Sequence, residues 1–170
     1  MQVRDFGPTA IYVESNCCAT SNRVFFRYLD ILSDGDCFFD SIKHLTHCSM
    51  STDEMRASLC DSLFIESCGD PNTALQILLT PKEYADSDIV YILSQHYEVN
   101  ICIHFYENSD QDKNKSVITN NNQIIKDPKL IGYLHYKSSN NPHWLHLHLM
   151  GQHYTPLLPA HNLNKSYSQL

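Results

Sequence analysis

Residues 33–42 read SDGDCFFDSI, a polar turn that leads into an apolar segment with the period of a helix. Phe38, Ile42 and Leu45 recur at helical spacing, so the segment predicts an amphipathic helix that begins at Cys37. A thiol in the first turn of a helix lies near unpaired N–H groups and the helix dipole, which favour its thiolate form. The stretch therefore predicts either a nucleophilic cysteine with a lowered pKa or an ordinary capped helix with a buried Cys37.

The three residues before Cys37 form a second feature of this stretch. Asp34, Gly35 and Asp36 predict a tight turn whose backbone N–H groups point outward, and Gly35 supplies the backbone freedom that such a turn needs. Backbone donors aimed at one point stabilise the negative charge that develops during acyl transfer. We therefore expect Gly35, Asp36 and Cys37 to form an oxyanion site.

Composition limits the classes of protein that the chain can belong to. It has 170 residues, 42% of them hydrophobic and 18% charged, which is typical of one globular domain. The net charge of −7, without a block of Lys and Arg, argues against nucleic acid as a partner. There is neither a secretory pattern nor an apolar run that could span a bilayer, and the seven cysteines lack CxxC spacing. We expect a cytoplasmic monomer with reduced thiols and no membrane partner.

The patterns along the chain change from helical to extended, which predicts an α+β domain with helices packed on a small, mostly antiparallel sheet. The predicted boundaries are an irregular N-terminal extension at 1–22, a domain at 23–159 and a polar tail at 160–170. The predicted helices are CFFDSIKHL, a second helix from the Ser51–Glu54 capping box to near Gly69, ALQILL (74–79), and DIVYILSQHY capped by Asp86 or Ser87. The predicted strands are VNICIHFYE (99–107), SVIT, NQIIK, LIGYLHY (130–136) and HWLHLHLM (143–150), while RVFFRYLDIL (23–32) is extended or helical.

DGDCFFDSI resembles the signature of the ovarian-tumour (OTU) family of cysteine proteases, which reads Asp-Gly-x-Cys, an apolar or aromatic residue, Phe, and a helix. The matching residues are Asp34, Gly35, Cys37, Phe39 and Ile42. ICIHFYE and LHLHLMGQHYTPLLP follow in the family's order, so the resemblance covers roughly residues 28–159. It implies a papain-type fold and hydrolysis of the isopeptide or peptide bond after the C-terminal glycine of ubiquitin or a ubiquitin-like modifier, without a cofactor or metal. Because the family occurs in viruses, intracellular bacteria and eukaryotes, the implied location is the cytosol, which would be the host's for a virus or intracellular bacterium.

A cysteine nucleophile needs a histidine base, and the chain has ten histidines. His153 follows an alternating strand and a Gly-Gln turn and precedes Tyr154, the placement that most resembles the family's catalytic His-aromatic pair. His153 is therefore the predicted base and acid. His143 is the alternative base, because it also precedes an aromatic residue, and His135 is a more distant alternative.

The third catalytic residue is open in this sequence. The family usually carries Asp or Asn two residues after the histidine, and this chain has Thr155 there. Either Thr155 orients the ring weakly, or an acid elsewhere does so, or Cys37 and His153 act as a dyad. The resemblance carries over Asp34 most directly, as an acid that shapes the oxyanion turn or faces the catalytic pair.

Two other functions fit parts of the sequence. His146 and His148 alternate on a strand and point to one face, so with a third ligand they predict a zinc-dependent hydrolase. The ordinary explanation is a solvent-facing pair, with the alternating leucines from 145 to 149 in the core. A non-catalytic module that binds ubiquitin on the same fold is the other alternative, since the residue after the histidine departs from the family pattern.

Overall fold

The computed structural model describes residues 3–4, 10–13, 24–28, 30–106, 130–141 and 143–159. In this part of the chain, short strands come first, helices follow, and longer strands come last. The strands are β1 (Val3–Arg4), β2 (Ala10–Val13), β3 (Val24–Tyr28), β4 (Asp30–Ile31), β5 (Asn100–Tyr106), β6 (Leu130–Tyr136), β7 (Trp144–Met150) and β8 (His153–Pro159). The helices are α1 (Cys37–Thr46), α2 (Thr52–Cys60), α3 (Pro71–Leu79) and α4 (Ser87–His96), with a short 3-10 helix at Ile65–Ser67.

The described strands form a mixed sheet in the order β2-β3-β8-β7-β5-β6. Strands β5 and β7 are parallel, and the other neighbours in this sheet are antiparallel. Strands β1 and β4 form a separate antiparallel pair. The predicted α+β fold, with helices on a mostly antiparallel sheet, is confirmed.

The hydrophobic core lies between the helices and one face of the sheet. Because strand side chains alternate, Ile101 and Ile103 of β5 share this face with Leu147 of β7. All three are buried, and Leu145 and Leu149 pack against the same cluster. The largest fully buried side chains that the helices contribute are Phe38, Phe39, Met55, Leu59, Ile89, Ile92 and Leu93.

Helix α1 begins at Cys37, as the sequence predicts, and α2 starts with a complete capping box between Ser51 and Glu54. Helix α2 ends at Cys60 rather than near Gly69, because the chain turns at Asp61. Leu63, which continues the apolar repeat in the sequence, is 89% exposed and so cannot extend the buried face of the helix.

Two segments that the sequence left without regular structure contain strands. Residues 3–4 and 10–13 are extended, so the prediction of an irregular N-terminal segment is wrong there. HYTPLLP forms β8, which lies between β3 and β7. The domain boundaries stay predictions, and SVIT, NQIIK and the 160–170 tail lie outside the described residues. Within the described ranges, no helix has both the length and the apolar character to cross a membrane.

Candidate active site

Cys37 lies where the start of α1 meets the start of β8. Its Sγ accepts a hydrogen bond from the Tyr154 N–H at 3.3 Å and donates to the Gln152 carbonyl oxygen at 3.7 Å. The Ser41 hydroxyl lies 2.7 Å from the Cys37 carbonyl oxygen and 3.4 Å from that of Tyr154. The rings of Phe38 and Tyr154 also meet edge to face at 5.1 Å. These contacts dock the helix start on β8.

His153 is the first residue of β8, and its two chain neighbours are the residues whose backbone contacts the Cys37 sulfur. The imidazole also lies close enough to Asp34 to affect the pKa of that carboxyl. The structure therefore brings Cys37, His153 and Asp34 into one region, although 116 positions separate the cysteine from the histidine.

The electrostatics of the sulfur differ from the sequence expectation. Cys37 is 1% exposed, and burial raises the pKa of its thiol to about 11. The N–H groups of Tyr154 and Phe38 favour the thiolate, but they do not offset burial, and the charges of Asp34 and Asp40 also raise the pKa. The lowered pKa expected from the helix start is thus reversed, because that helix start is covered. Cys37 is a neutral thiol at pH 7 in this state.

The nucleophile turn, residues 34–37, is closed by its own backbone. The Asp36 N–H donates to the Asp34 Oδ1 at 3.0 Å, and the Cys37 N–H donates to the Asp34 carbonyl at 3.1 Å. Both N–H groups are among the donors expected for an oxyanion site. In this state they are engaged with Asp34, so a substrate oxyanion would have to replace one of these hydrogen bonds.

Two cations hold the carboxylates of the nucleophile turn. The buried Asp36 accepts from Arg56 Nε and Nη2 at 3.2 and 3.0 Å. The Lys82 Nζ lies 2.7 Å from the Asp36 Oδ2 and 2.9 Å from the Asp34 Oδ2. Partial burial acts to raise the pKa of Asp34, but hydrogen bonds from Lys82 and from the Asp36 N–H outweigh it and lower that pKa. The hydrogen bond to Asp36 is the largest cause of the raised pKa of Lys82.

Arg56 is the residue of this site that the sequence did not indicate. It is buried, donates to the carbonyl oxygens of Gly35 and Glu83 at 3.1 and 2.7 Å, and lies over the Phe39 ring at 4.4 Å. Nothing local marks Arg56 in the sequence, because its carboxylate partner Asp36 lies 20 residues earlier. A buried arginine of this kind ties the nucleophile turn to α2 and to the segment after α3.

Gly35 has a steric role that differs from the predicted one. A Cβ at this position would lie 1.5 Å from the Lys82 carbonyl oxygen, and no side chain can approach a backbone atom so closely. The sequence predicted Gly35 for backbone freedom in the turn, whereas the structure shows that the chain at Lys82 passes directly against it. Glycine is therefore required for the close contact between two backbone segments.

The other two candidate bases lie away from the sulfur. His143 is exposed and precedes β7, while Met150 at the far end of β7 pairs with His153. At about 3.3 Å per residue, the strand separates these two histidines by roughly 20 Å. His135 lies on β6 opposite Cys102, and its ring meets Trp144 edge to face at 5.4 Å. Of the three candidates, the structure brings His153 alone beside Cys37.

Comparison with known proteins decides the fold. Neither a protein-family model nor a curated protein matches the sequence. The OTU domain protease of Taggert virus is similar in structure, with a TM-score of 0.59 and 17% identity over 90% of this chain and 87% of that one. The chain has the OTU fold. The OTU domain protease of Dera Ghazi Khan virus gives a TM-score of 0.55 and 16% identity over 91% of this chain and 99% of that one.

A third OTU structure, from Hazara virus, was solved bound to ubiquitin and gives a TM-score of 0.52 and 18% identity, covering 79% of this chain and 81% of that chain. The resemblance carried by DGDCFFDSI is thus confirmed at the level of the fold. Identities this low establish the OTU fold alone, so the chemistry rests on the residues of this chain.

Thr155, two residues after His153, is the residue that the OTU resemblance offers as a weak orienter of that ring. It is fully buried, and its Oγ1 lies 3.2 Å from the Nδ1 of His148, its partner across β7 and β8. Burial, with a smaller effect from the nearby His153, lowers the pKa of His148 to about 4. Thr155 therefore contacts a neutral imidazole, and its role in orienting His153 stays a prediction.

The predicted metal pair, His146 and His148, is only partly as expected. Leu147 is buried in the core, but His148 is 3% exposed, so the expectation that both histidines face solvent is wrong. Among the described residues, the potential ligand atoms that converge belong to His146 and to two residues of β5, Cys102 and His104. The sequence alone did not indicate Cys102 or His104 as ligands. The sequence signal for this cluster is the C-x-H spacing on one strand and the H-x-H spacing on another, because each spacing places alternate residues on one face of the strand.

Proposed function

We propose that this protein is a cysteine-type deubiquitinase, which hydrolyses the isopeptide or peptide bond after the C-terminal glycine of ubiquitin or a ubiquitin-like modifier. The observation that carries the proposal is the backbone on either side of His153 contacting the Cys37 sulfur, within an OTU fold. The Hazara virus OTU domain, which has the same fold, was solved bound to ubiquitin. This supports ubiquitin as the ligand.

The first step is proton transfer from Cys37 to His153. Because burial keeps the pKa of the thiol at about 11, the nucleophile has to be deprotonated as it attacks rather than being stored as a thiolate. The thiolate then adds to the carbonyl carbon after the modifier's last glycine. Asp34, whose charge interacts with His153, stabilises the imidazolium that forms.

The tetrahedral intermediate carries a negatively charged oxygen. We assign the backbone hydrogen-bond donors for this oxyanion to residues 35–37. The N–H groups of Asp36 and Cys37 both donate to Asp34 within the nucleophile turn. One of these groups can leave its Asp34 acceptor and donate to the oxyanion instead. Arg56 and Lys82 hold the carboxylates of Asp34 and Asp36 during this exchange. The turn can then rearrange without losing its position at the start of α1.

The remaining steps return the enzyme to its resting state. The protonated His153 gives its proton to the departing amine, which leaves the modifier as a thioester on Cys37. His153 then takes a proton from water, and the resulting hydroxide attacks the thioester carbonyl. Collapse of that intermediate releases the modifier's carboxylate and restores the Cys37 thiol.

Trapping with modified ubiquitin tests the nucleophile. Ubiquitin with a C-terminal electrophile should form a covalent adduct, and intact-mass measurement should assign it to Cys37. The Cys37→Ala variant should form no adduct and cleave no di-ubiquitin. Cys60→Ser should react like the unchanged protein, because Cys60 lies at the end of α2. An adduct that persists in Cys37→Ala would exclude this nucleophile.

A pair of histidine variants tests the base. His153→Ala should lower kcat/KM for di-ubiquitin cleavage by roughly 10²–10⁴, the range that general acid–base catalysis typically contributes. His143→Ala should stay within about twofold of the unchanged protein, because an exposed residue so far from the sulfur takes no part. The reverse pattern would assign the base to His143.

A non-catalytic ubiquitin-binding module is the second candidate, and the 1% exposure of Cys37 is the observation that favours it. In that case ubiquitin binds, but the electrophilic probe forms no adduct and no di-ubiquitin of a linkage panel is cleaved. Binding measured by calorimetry in parallel with the probe separates the two functions. Binding without any adduct selects the module, and an adduct selects the enzyme.

A further inference from the structure

The sheet has a second polar feature on the face opposite the helices. Its buried or half-buried side chains come from three adjacent strands, and their cross-strand partners are set by the parallel pairing of β5 with β7 and the antiparallel pairing of β7 with β8. We call this group the histidine face. Its members are Cys102, His104, His146, His148 and Thr155.

Three members of the histidine face bring ligand atoms to one point. A sulfur of Cys102 and one ring nitrogen each of His104 and His146 lie within 4.8 Å of one another. The Nε2 of His104 is 2.9 Å from the Nδ1 of His146. Cys102 and His104 are both 0% exposed, and paired strands hold all three backbones.

We propose that Cys102, His104 and His146 bind a zinc ion. Zinc is the metal that this ligand set favours, because thiolate and imidazole are its usual protein ligands and it accepts tetrahedral positions without a preference from d electrons. Three protein ligands leave one position of the tetrahedron, which a water molecule fills. The sequence offered His146 and His148 as a zinc pair only as an alternative, and the strand register places His146 opposite Cys102 of β5.

The distance between the two imidazoles fits such an ion after a small adjustment, and the Cys102 sulfur, within 4.8 Å of the ring nitrogens, would move inward to bind. Zinc–nitrogen bonds of about 2.0–2.1 Å in a tetrahedron place two nitrogens about 3.3 Å apart, and a zinc–sulfur bond of about 2.3 Å places nitrogen and sulfur about 3.5 Å apart. The His104 and His146 nitrogens at 2.9 Å need to separate by only a few tenths of an ångström. A rotation of the half-exposed His146 side chain can supply that movement without shifting the strands.

The proton balance of binding is simple. At 2.9 Å, one of the two imidazoles donates a proton to the other, so zinc requires that ring to move its proton to its other nitrogen. The Cys102 thiol loses its proton to solvent, because the thiolate is the ligand. Binding one zinc ion therefore releases one proton and leaves a net charge of +1 on the ion and its thiolate.

The ion would act on the sheet rather than on the substrate. It would join β5 to β7, the one parallel pair among the described strands of the six-stranded sheet, through side chains as well as backbone hydrogen bonds. Strand β7 leads directly to Gln152 and His153 beside the Cys37 sulfur. The proposed role is therefore to hold the sheet that carries the histidine, and the proposal stands whether or not the protein is a deubiquitinase.

Cobalt substitution tests the site. The chain is stripped of metal with a chelator, and Co²⁺ is titrated in while absorbance is recorded. One equivalent should give the visible bands of tetrahedral cobalt and a near-ultraviolet charge-transfer band from a thiolate ligand. Cys102→Ser should abolish the charge-transfer band. His146→Gln should weaken cobalt binding at least tenfold, since even the loss of a group that only orients a ligand costs about 10–100-fold in affinity.

The controls separate this site from other thiols. Cys37→Ser and Cys60→Ser should keep the full cobalt spectrum, and zinc should displace cobalt from each. Loss of the band in Cys37→Ser, its persistence in Cys102→Ser, or the lack of any charge-transfer band in the unchanged chain would each overturn the proposal. His146 is half-exposed, so His146→Gln keeps the test decisive if Cys102→Ser fails to fold, and unaltered cobalt affinity in a folded His146→Gln would also overturn it.

Discussion

The nucleophile turn and the histidine face both keep polar groups inside the protein, but they do so in opposite ways. In the turn, the buried carboxylate of Asp36 is balanced by Arg56 and Lys82. On the face, burial holds the pKa of His148 at about 4, so its imidazole is neutral and pairs with the hydroxyl of Thr155. The turn therefore contains paired charges, whereas His148 on the face is neutral.

The difference explains the state of the Cys37 thiol. Cys37 belongs to the turn by its backbone, yet its sulfur is buried and neutral, like the imidazole of His148. A buried charge is stable only with a partner close by. The structure gives the Cys37 sulfur two backbone contacts, a donor and an acceptor, and these contacts suit a thiol.

The largest expected effect concerns the reactivity of Cys37 as a function of pH. Since burial raises the pKa of this thiol to about 11, the thiolate fraction is below that of an ordinary cysteine at pH 7 and grows with pH until about that value. Alkylation of Cys37 by iodoacetamide without ubiquitin should therefore rise roughly a thousandfold from pH 7 to pH 10. Quenched time points and peptide mass spectrometry measure the rate at Cys37 alone.

The same experiment distinguishes the neutral thiol from a resting ion pair between Cys37 and His153. If Cys37 and His153 already formed a thiolate and an imidazolium, the alkylation rate would not change from pH 7 upward. The sulfur would then carry a paired charge, as the carboxylates of the turn do. In His153→Ala the rise to pH 10 should remain, because burial rather than the imidazole sets the pKa of the thiol in this state.

The second prediction removes the partner of a buried charge. Arg56→Met should lower the free energy of unfolding by about 3–5 kcal/mol, the usual cost when one member of a buried ion pair is lost. Lys82→Met should cost about 1 kcal/mol or less, since the Lys82 side chain is 61% exposed. Urea titration at pH 7 measures both. Equal losses of stability in the two variants would mean that the buried Arg56 stabilises the Asp36 carboxylate no more than the exposed Lys82 does.

The nucleophile turn was predictable from sequence because its signal is local. Gly35 and Cys37 lie within a contiguous motif, and the helix start at Cys37 follows from the spacing of the next few apolar residues. The pKa of Cys37 was not predictable, because the groups that cover its sulfur include Tyr154, 117 residues later. Arg56 was missed for the same reason, since only the folded chain brings it to Asp36.

The histidine face shows what sequence order hides. Alternation predicts that Cys102 and His104 share a face, and that His146 and His148 share one. It does not say that β5 and β7 are parallel neighbours, a pairing that needs the chain to leave β5, form β6 on one side and return on the other. Strand β8 was missed because Pro156 and Pro159 interrupt the usual strand pattern.

The third prediction tests the close contact behind the nucleophile turn. Gly35→Ala should destabilise the protein by about 2 kcal/mol, because the new methyl group would meet the Lys82 carbonyl and push two backbone segments apart. Gly69→Ala is the matched control, since its nearest obstacle is a side-chain carboxylate, that of Asp88 at 3.2 Å, rather than backbone. It should cost less than about 1 kcal/mol. Thermal and urea unfolding compare the two, and an equal cost would mean that the turn adapts freely.

The smallest expected effect is at Thr155, where the two regions meet. Thr155→Val keeps the shape of the side chain but removes the hydroxyl that contacts His148, so it should cost about 1 kcal/mol of stability. The exposed Thr46, whose hydroxyl donates to the Ile42 carbonyl, provides the control Thr46→Val, which should change stability by less than about 0.5 kcal/mol. Di-ubiquitin cleavage by Thr155→Val should fall less than about tenfold. A loss as large as that of His153→Ala would instead show that Thr155 orients the catalytic ring, and the histidine face would then be part of the active site.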